Sequence, residues 1–267
     1  MAWGGALIRA SRVKAMDETP IKAGRASPGK MKACYFWPVY DELHEICFPF
    51  FESRAHSNVE KVLGLKPAQG GVLLSDGYGA YEAYASKTGL THAQCWTHCR
   101  REFINAEAVE PELAAKALEY IGALYAVEAK IRDDKLKGEA KREYQLDHAR
   151  PIVAAFFGWV KERLDAQGLL PSSPLTKALT YAHKRRGALE VFLTDPDVPI
   201  DTNHLHAARS MSRVLVHRLA AYAPRFLPTL GHPRAVALRF VRCDYKGTSH
   251  FRRWPVRPGI KVPRLNC

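Results

Sequence analysis

The spacing of apolar and polar residues changes period once along the chain, and that change organises it. Residues 30–51, KMKACYFWPVYDELHEICFPFF, carry aromatic and β-branched side chains on both sides of a polar stretch at 41–45. This pattern predicts two strands joined by a tight turn. Ahead of them, DETPIKAGRASPGK begins near an earlier strand and passes into a Gly/Ser/Pro loop. Residues 57–65, SNVEKVLGL, place apolar side chains at Val59, Val62 and Leu63 before a glycine, predicting a short helix capped by Ser57. GGVLLSD, ending at Asp76, predicts a fourth strand, and THAQCWTH at 91–98 a fifth.

From about Arg100 to Leu164 the period becomes helical, with Leu118, Ile121, Leu124 and Val127 on one face and only Pro111 and Pro151 as interruptions. After the loop GLLPSSP, one helix is predicted over LTKALTYAHKRRGALEVFL. A polar connection, TDPDVPIDTNHLH, leads to a last helix. Strands followed by helices suit two domains; one sheet with a helical insertion before its final helix suits them equally.

Composition narrows the class. A 267-residue chain that is 47% hydrophobic and 25% charged can bury a sizeable core in water. No run of about 18 apolar residues predicts a membrane span. The start, MAWGGALIRASRVKAMDETP, lacks the basic segment and cleavage site of a secretory signal. Six irregularly spaced cysteines suit a reducing cytosol rather than a disulfide framework. The net charge of +13 is unevenly spread: residues 201–267 hold 13 Lys and Arg against Asp201 and Asp244 alone. Such an end suits phosphate neutralisation; alternatively, this quarter was shaped by different constraints from the rest.

Two aspartates carry the candidate chemistry. Asp76 ends an apolar run, and Asp17 follows the run VKAM at or near the first strand. Carboxylates on adjacent strands can hold two Mg²⁺ ions about 3.5–4 Å apart for in-line displacement at phosphorus. Taken singly, each is more often a turn or cap residue. His92, Cys95, His98 and Cys99 fall within eight residues, but the second ligand pair of a structural zinc site is missing nearby. Local packing, or support of an adjacent active site, is the competing reading. Arg100 and Arg101 open the next helix, either against DNA phosphates or as a solvated face. His183, Lys184, Arg185 and Arg186 read as a solvated basic face.

Several blocks together resemble the catalytic core of transposases of the insertion-sequence 66 family: DETPIKAG, YFWP, SRAH, LLSDGYGAYEAYA, QCWTHCRREF, KALTYAHKRRGALEVFLTD and IDTNHL, in order from about Arg12 to Leu205. The resemblance implies an α/β, ribonuclease H-like mixed sheet with a helical insertion at about 100–170, forming a core over residues 12–205. It implies DNA transposition by strand cleavage and transfer, with Asp17 and Asp76 as the first two carboxylates of an Asp-Asp-Glu triad holding Mg²⁺. The implied partners are DNA, as transposon ends and target, and a homo-oligomer or an intact transposase. The implied location is the bacterial cytoplasm, at the nucleoid, with no membrane.

The resemblance also shows departures. Where the family places Glu-Arg after DTNHL, this chain has His206 and Ala207. Imidazole is a poor substitute for an oxygen ligand to Mg²⁺, so an impaired or dead catalyst is expected. The family's Gly-Arg-Lys-Asn-Trp block is absent, and its upstream DNA-binding region has no counterpart before the first catalytic strand. Residues 206–267 read either as the product of a frameshift near codon 206 or as a basic DNA-binding tail. The second reading makes the chain a non-catalytic remnant that binds transposon ends or intact transposase. Sequencing the coding DNA and translating all three frames decides between them. A frameshift predicts Glu-Arg and a Gly-Arg-Lys-Asn-Trp-like block in another frame; if neither appears in any frame, the basic tail is the true continuation.

Overall fold

The structure is a computed structural model that describes residues 5–27, 30–42, 45–166, 168 and 170–202. A short helix, α1 (Gly5–Ala10), leads into β1 (Val13–Met16). Strands β2 (Thr19–Ser27), β3 (Lys30–Phe36), β4 (Val39–Asp41), β5 (Ile46–Cys47) and β6 (Phe50–Phe51) follow. Helix α2 (Ser57–Leu63), β7 (Val72–Ser75), α3 (Gly79–Thr88) and β8 (Thr91–Gln94) complete the α/β portion. One sheet has five strands in the order β5-β4-β1-β7-β8; a second has three, β2-β3-β6. In the first, β1 is antiparallel to β4 and parallel to β7, and β7 is parallel to β8.

The central strands are buried on both faces, which is why VKAM and VLLS read as almost continuous apolar runs. Alternation survives beneath that run. Val13, Ala15, Val72 and Leu74 face one core, while Met16 and Leu73 face the other with Trp37, Val59 and Tyr81. Lys14 is the exception among the apolar side chains. It is buried, its ammonium donates to the Ser11 carbonyl, and burial lowers its pKa.

The aromatic segment at 30–51 departs from the expected simple hairpin. Both arms are broken, at Trp37-Pro38 and at Phe48-Pro49, giving four strands in place of two. Proline cannot donate to a ladder, so each arm bends there. The bends lie side by side: Trp37 N–H donates to Pro49 O (2.8 Å) and Asp17 N–H to Pro38 O (3.2 Å). Three neighbouring strands thus break at one level, and the two sheets diverge from it.

The helical portion starts earlier than its sequence suggested. Residues 95–98 do not extend the fifth strand; α4 (Trp96–Ala106) begins directly after Cys95. Helices α5 (Pro111–Asp133), α6 (Gly138–Tyr144) and α7 (Arg150–Asp165) follow. A π-helical turn at Gln145–Ala149 joins α6 to α7, with Arg150 N–H donating to Gln145 O just before Pro151. That wider turn carries the helix across the proline. The single helix expected over 175–193 is two, α8 (Pro174–Lys184) and α9 (Arg186–Thr194), divided at Arg185. Ser57 is the first residue of α2 rather than its cap, and Gly64 ends that helix at φ +78°. Among the described residues no helix is long and apolar enough to cross a membrane.

An aromatic cluster holds the helices to one another. Phe156 lies 5.1–6.2 Å, ring centre to ring centre, from Phe157, Trp96, Phe103 and Tyr120, and Trp96 Nε1 donates to Leu189 O (2.9 Å). At the far edge, Arg12 bridges Asp195 and Asp197 (2.6 Å each), tying the start of β1 to the connection after α9. That pairing holds the Asp195 carboxyl below its ordinary range. Phe156 is 1% exposed, so Phe156→Ala is expected to lower stability by about 3–5 kcal/mol. Urea unfolding checks this, and a loss below about 1 kcal/mol would remove the cluster from the core.

Candidate metal centre

Asp17 and Asp76 meet because of register. The parallel pairing of β1 with β7 runs Val13↔Val72, Lys14↔Leu73, Ala15↔Leu74. Two further steps set Asp17 beside Asp76, each the first residue past its strand. Asp17 sits in the shared strand break, 4% exposed, with its Oδ1 accepting from Glu18 N–H (2.7 Å). Asp76 turns the chain into α3: its Oδ1 accepts from Tyr78 N–H (2.9 Å), and its carbonyl accepts from Ser75 Oγ (3.1 Å).

The third member comes from α4. Strand β8 pairs with β7 up to Ser75↔Gln94, and Cys95 N–H donates to Ser75 O (3.1 Å). The helix therefore starts next to the Asp76 turn, and its first turn presents His98. One carboxylate oxygen each from Asp17 and Asp76 and a ring nitrogen of His98 lie within 4.8 Å of one another. Oxygen and nitrogen donors about 2.1 Å from one ion are at most about 4.2 Å apart. A small side-chain adjustment therefore suffices to close this set on a divalent cation, and the donor chemistry fits one.

A second layer fixes the Asp17 segment. Glu18, 8% exposed, accepts from Arg54 through Nε (2.7 Å) and Nη2, and from Tyr81 OH (2.6 Å). Burial, with Glu18 adding to it, pushes the Tyr81 phenol well above its ordinary pKa, so it stays a donor. The Arg54 guanidinium lies 4.0 Å over the Tyr78 ring, and Tyr78 OH donates to Arg54 O (2.7 Å). Tyr78 and Tyr81 thus pack beside the Asp76 turn, in edge-to-face contact at 5.9 Å.

The zinc reading of residues 92–99 does not survive. His92 Nε2 lies 2.8 Å from Ser75 Oγ, and burial lowers its pKa. Cys95 and Cys99 are buried thiols with raised pKa values, and Cys95 Sγ accepts from Thr202 N–H (3.3 Å). Only His98 of the four joins the metal-capable group. Asp201 is buried and accepts from Thr97 Oγ1 (3.2 Å), itself 2.9 Å from Tyr125 OH; it is not one of the three donors. Arg100 and Arg101 are exposed on α4. Trp96 N–H donates to Ile200 O (3.1 Å), so the chain reaches Thr202 beside the start of α4. His206, Ala207 and the basic segment lie outside the described residues.

In the sequence His98 belongs to the 92–99 cluster, read either as zinc ligands or as packing or support beside an active site; its metal-capable neighbours, Asp17 and Asp76, directly follow β1 and β7. Glu18 adjoins Asp17, and the adjacent acids at a strand end were its only signal.

The Transposase IS66 family profile matches residues 5–221, continuing beyond the last motif block at Leu205. Two uncharacterized proteins of Sinorhizobium fredii (strain NBRC 101917 / NGR234) are similar to this chain. Protein y4qI is 33% identical over 209 residues, covering 72% of this chain and 37% of its own length. Protein y4jD is 29% identical over 235 residues, covering 80% and 43%. The chain thus spans less than half the length of either relative. A profile match over most of the sequence, together with the ordered motif blocks, shows that the chain belongs to the IS66 transposase family.

Proposed function

We propose that residues 12–205 form the ribonuclease H-like catalytic core of a DNA transposase, retaining a metal centre but impaired in strand transfer. The observation that carries this reading is the convergence of Asp17, Asp76 and His98 within 4.8 Å. The fold assignment draws on the sheet itself: three antiparallel strands, then two parallel ones, with a carboxylate at the end of the central strand and of its parallel neighbour.

When bound, a divalent cation at such a centre polarises the scissile phosphate and acidifies the attacking hydroxyl. The protein's part is to place the donors. Asp17 and Asp76 supply the negative charge, and Glu18, Arg54 and Tyr81 hold the backbone that carries Asp17. His98 contributes nitrogen, which suits first-row transition ions better than Mg²⁺. Full two-Mg²⁺ chemistry calls for a third carboxylate, and His206 stands at that position. The expected catalyst is therefore slow in Mg²⁺ and better in Mn²⁺. Arg100 and Arg101, exposed on α4, would meet DNA phosphates.

The basic segment 206–267 supports a second reading, a non-catalytic remnant that occupies transposon ends or joins intact transposase. The family match to residue 221 favours a divergence later than codon 206.

Nicking of supercoiled plasmid separates the readings. Slow nicking is expected in Mn²⁺ and weaker nicking in Mg²⁺. Losing even an outer-shell partner costs a metal site about 10–100-fold. Asp17→Asn and Asp76→Asn should therefore reduce the rate at least that much. Efficient Mg²⁺-dependent strand transfer would contradict impairment, and unchanged nicking in Asp76→Asn would contradict the assigned centre. Salt-sensitive DNA binding with no cleavage in either metal would favour the remnant.

A further inference from the structure

The basic run at 183–186 does not behave as one solvated face. Arg186 turns outward to Glu190 (2.9 Å) and over Phe157 (5.1 Å). Arg185, at the break between α8 and α9, turns the other way. Its guanidinium lies 4.0 Å over the Tyr181 ring, and it donates to Tyr181 O (3.4 Å) and Gly77 O (3.3 Å). Gly77 directly follows Asp76. A Cβ built there would come within 2.8 Å of Arg185 Nε and 3.0 Å of the Tyr181 ring, so the arginine and the metal-centre turn are in close contact.

Arg185 also lines an open groove of about 480 Å³ between α4 and α8. Lys177, Lys184 and Arg185 line it against a single acid, Glu102, together with Thr176 and Thr180. Lys177 and Lys184 are two turns apart, about 10 Å along the helix, and both are exposed. Three buried polar atoms of the wall, Thr176 Oγ1, Tyr181 OH and Arg185 Nε, hydrogen-bond to nothing among the described residues. The charge of the lining, three cations against one acid, points to a ligand rich in acceptors.

We propose that this groove holds the sugar–phosphate backbone of the DNA strand entering the metal centre, with Arg185 as a positioning residue that links the two. The inference rests on the reading of Asp17 and Asp76 as a DNA-processing centre. Charge selects the occupant: a polyanion complements the groove, whereas residues 201–267, with 13 basic residues against two acids, would be repelled by it. Lysine and arginine contacts to phosphates carry no sequence information, so binding through the groove is expected to be independent of sequence.

The test is fluorescence anisotropy of a labelled 20-base-pair duplex with the full chain, in EDTA, across a salt series. Each phosphate contact adds about 0.9 to the slope of log affinity against log salt. Lys177→Gln/Lys184→Gln should flatten the slope by about 1.8, and Arg185→Gln by about 0.9. Lys116→Gln/Lys130→Gln on α5, which removes the same charge elsewhere, should leave the slope unchanged. The decisive lysines are exposed, so their replacement leaves the fold intact. Equal slopes for the two double variants would overturn the proposal. Because the assay contains no metal, its outcome is independent of whether Asp17 and Asp76 hold an ion. A positive result with metal-independent nicking would sink the metal reading alone.

Discussion

The arrangement of the molecule depends on one constraint: three adjacent strands break at the same level, and the carboxylate of Asp17 sits in the break. Pro38 and Pro49 interrupt two of the strands, and the hydrogen bonds from Trp37 to Pro49 and from Asp17 to Pro38 keep the interruptions aligned. Had β1 run on without a bend, residue 17 would take its place in a ladder facing one core or the other. Instead the backbone turns aside, and the parallel register with β7 brings Asp76 alongside. A one-residue slip in that register would move every side chain of β1 to the opposite face. The apolar residues that fix the two cores therefore also fix the spacing of the two acids.

The surrounding polar groups fit the same logic. A buried carboxylate such as Glu18 is costly unless satisfied, and Arg54 and Tyr81 satisfy it from two separate segments. The blocks DETPIKAG, SRAH and SDGYGAY, far apart in sequence, are thus one structural unit. Each supplies part of a single polar cluster around Asp17. The α8 segment adds to the other side, where Arg185 presses on Gly77.

Much of this was legible in the sequence, and the parts that were not share a cause. The strands VKAM and VLLS, the stop at Gly64 and the buried face of α5 follow from local composition and period. Asp17 and Asp76 were marked by their place at the ends of apolar runs. The misread elements were boundaries decided by long-range contacts. Cys95 and Trp96 look strand-like, but Trp96 is drawn into the aromatic cluster with Phe156 and Phe157, and the helix starts there. Arg185 looks helical, but its contact with the Asp76 turn coincides with the break between α8 and α9. His98 stands out in the sequence only through the 92–99 cluster, as a zinc ligand or as active-site support, because nothing local connects it to the two aspartates that follow β1 and β7.

The most direct measurement is calorimetric titration of Mn²⁺ into the full chain and its variants. Saturable binding is expected in the native sequence, weakened at least tenfold in both Asp17→Asn and Asp76→Asn, and reduced in His98→Ala by a larger factor for Mn²⁺ than for Mg²⁺. Binding that persists unchanged in the two aspartate variants would contradict the account, because the ion would then be held elsewhere.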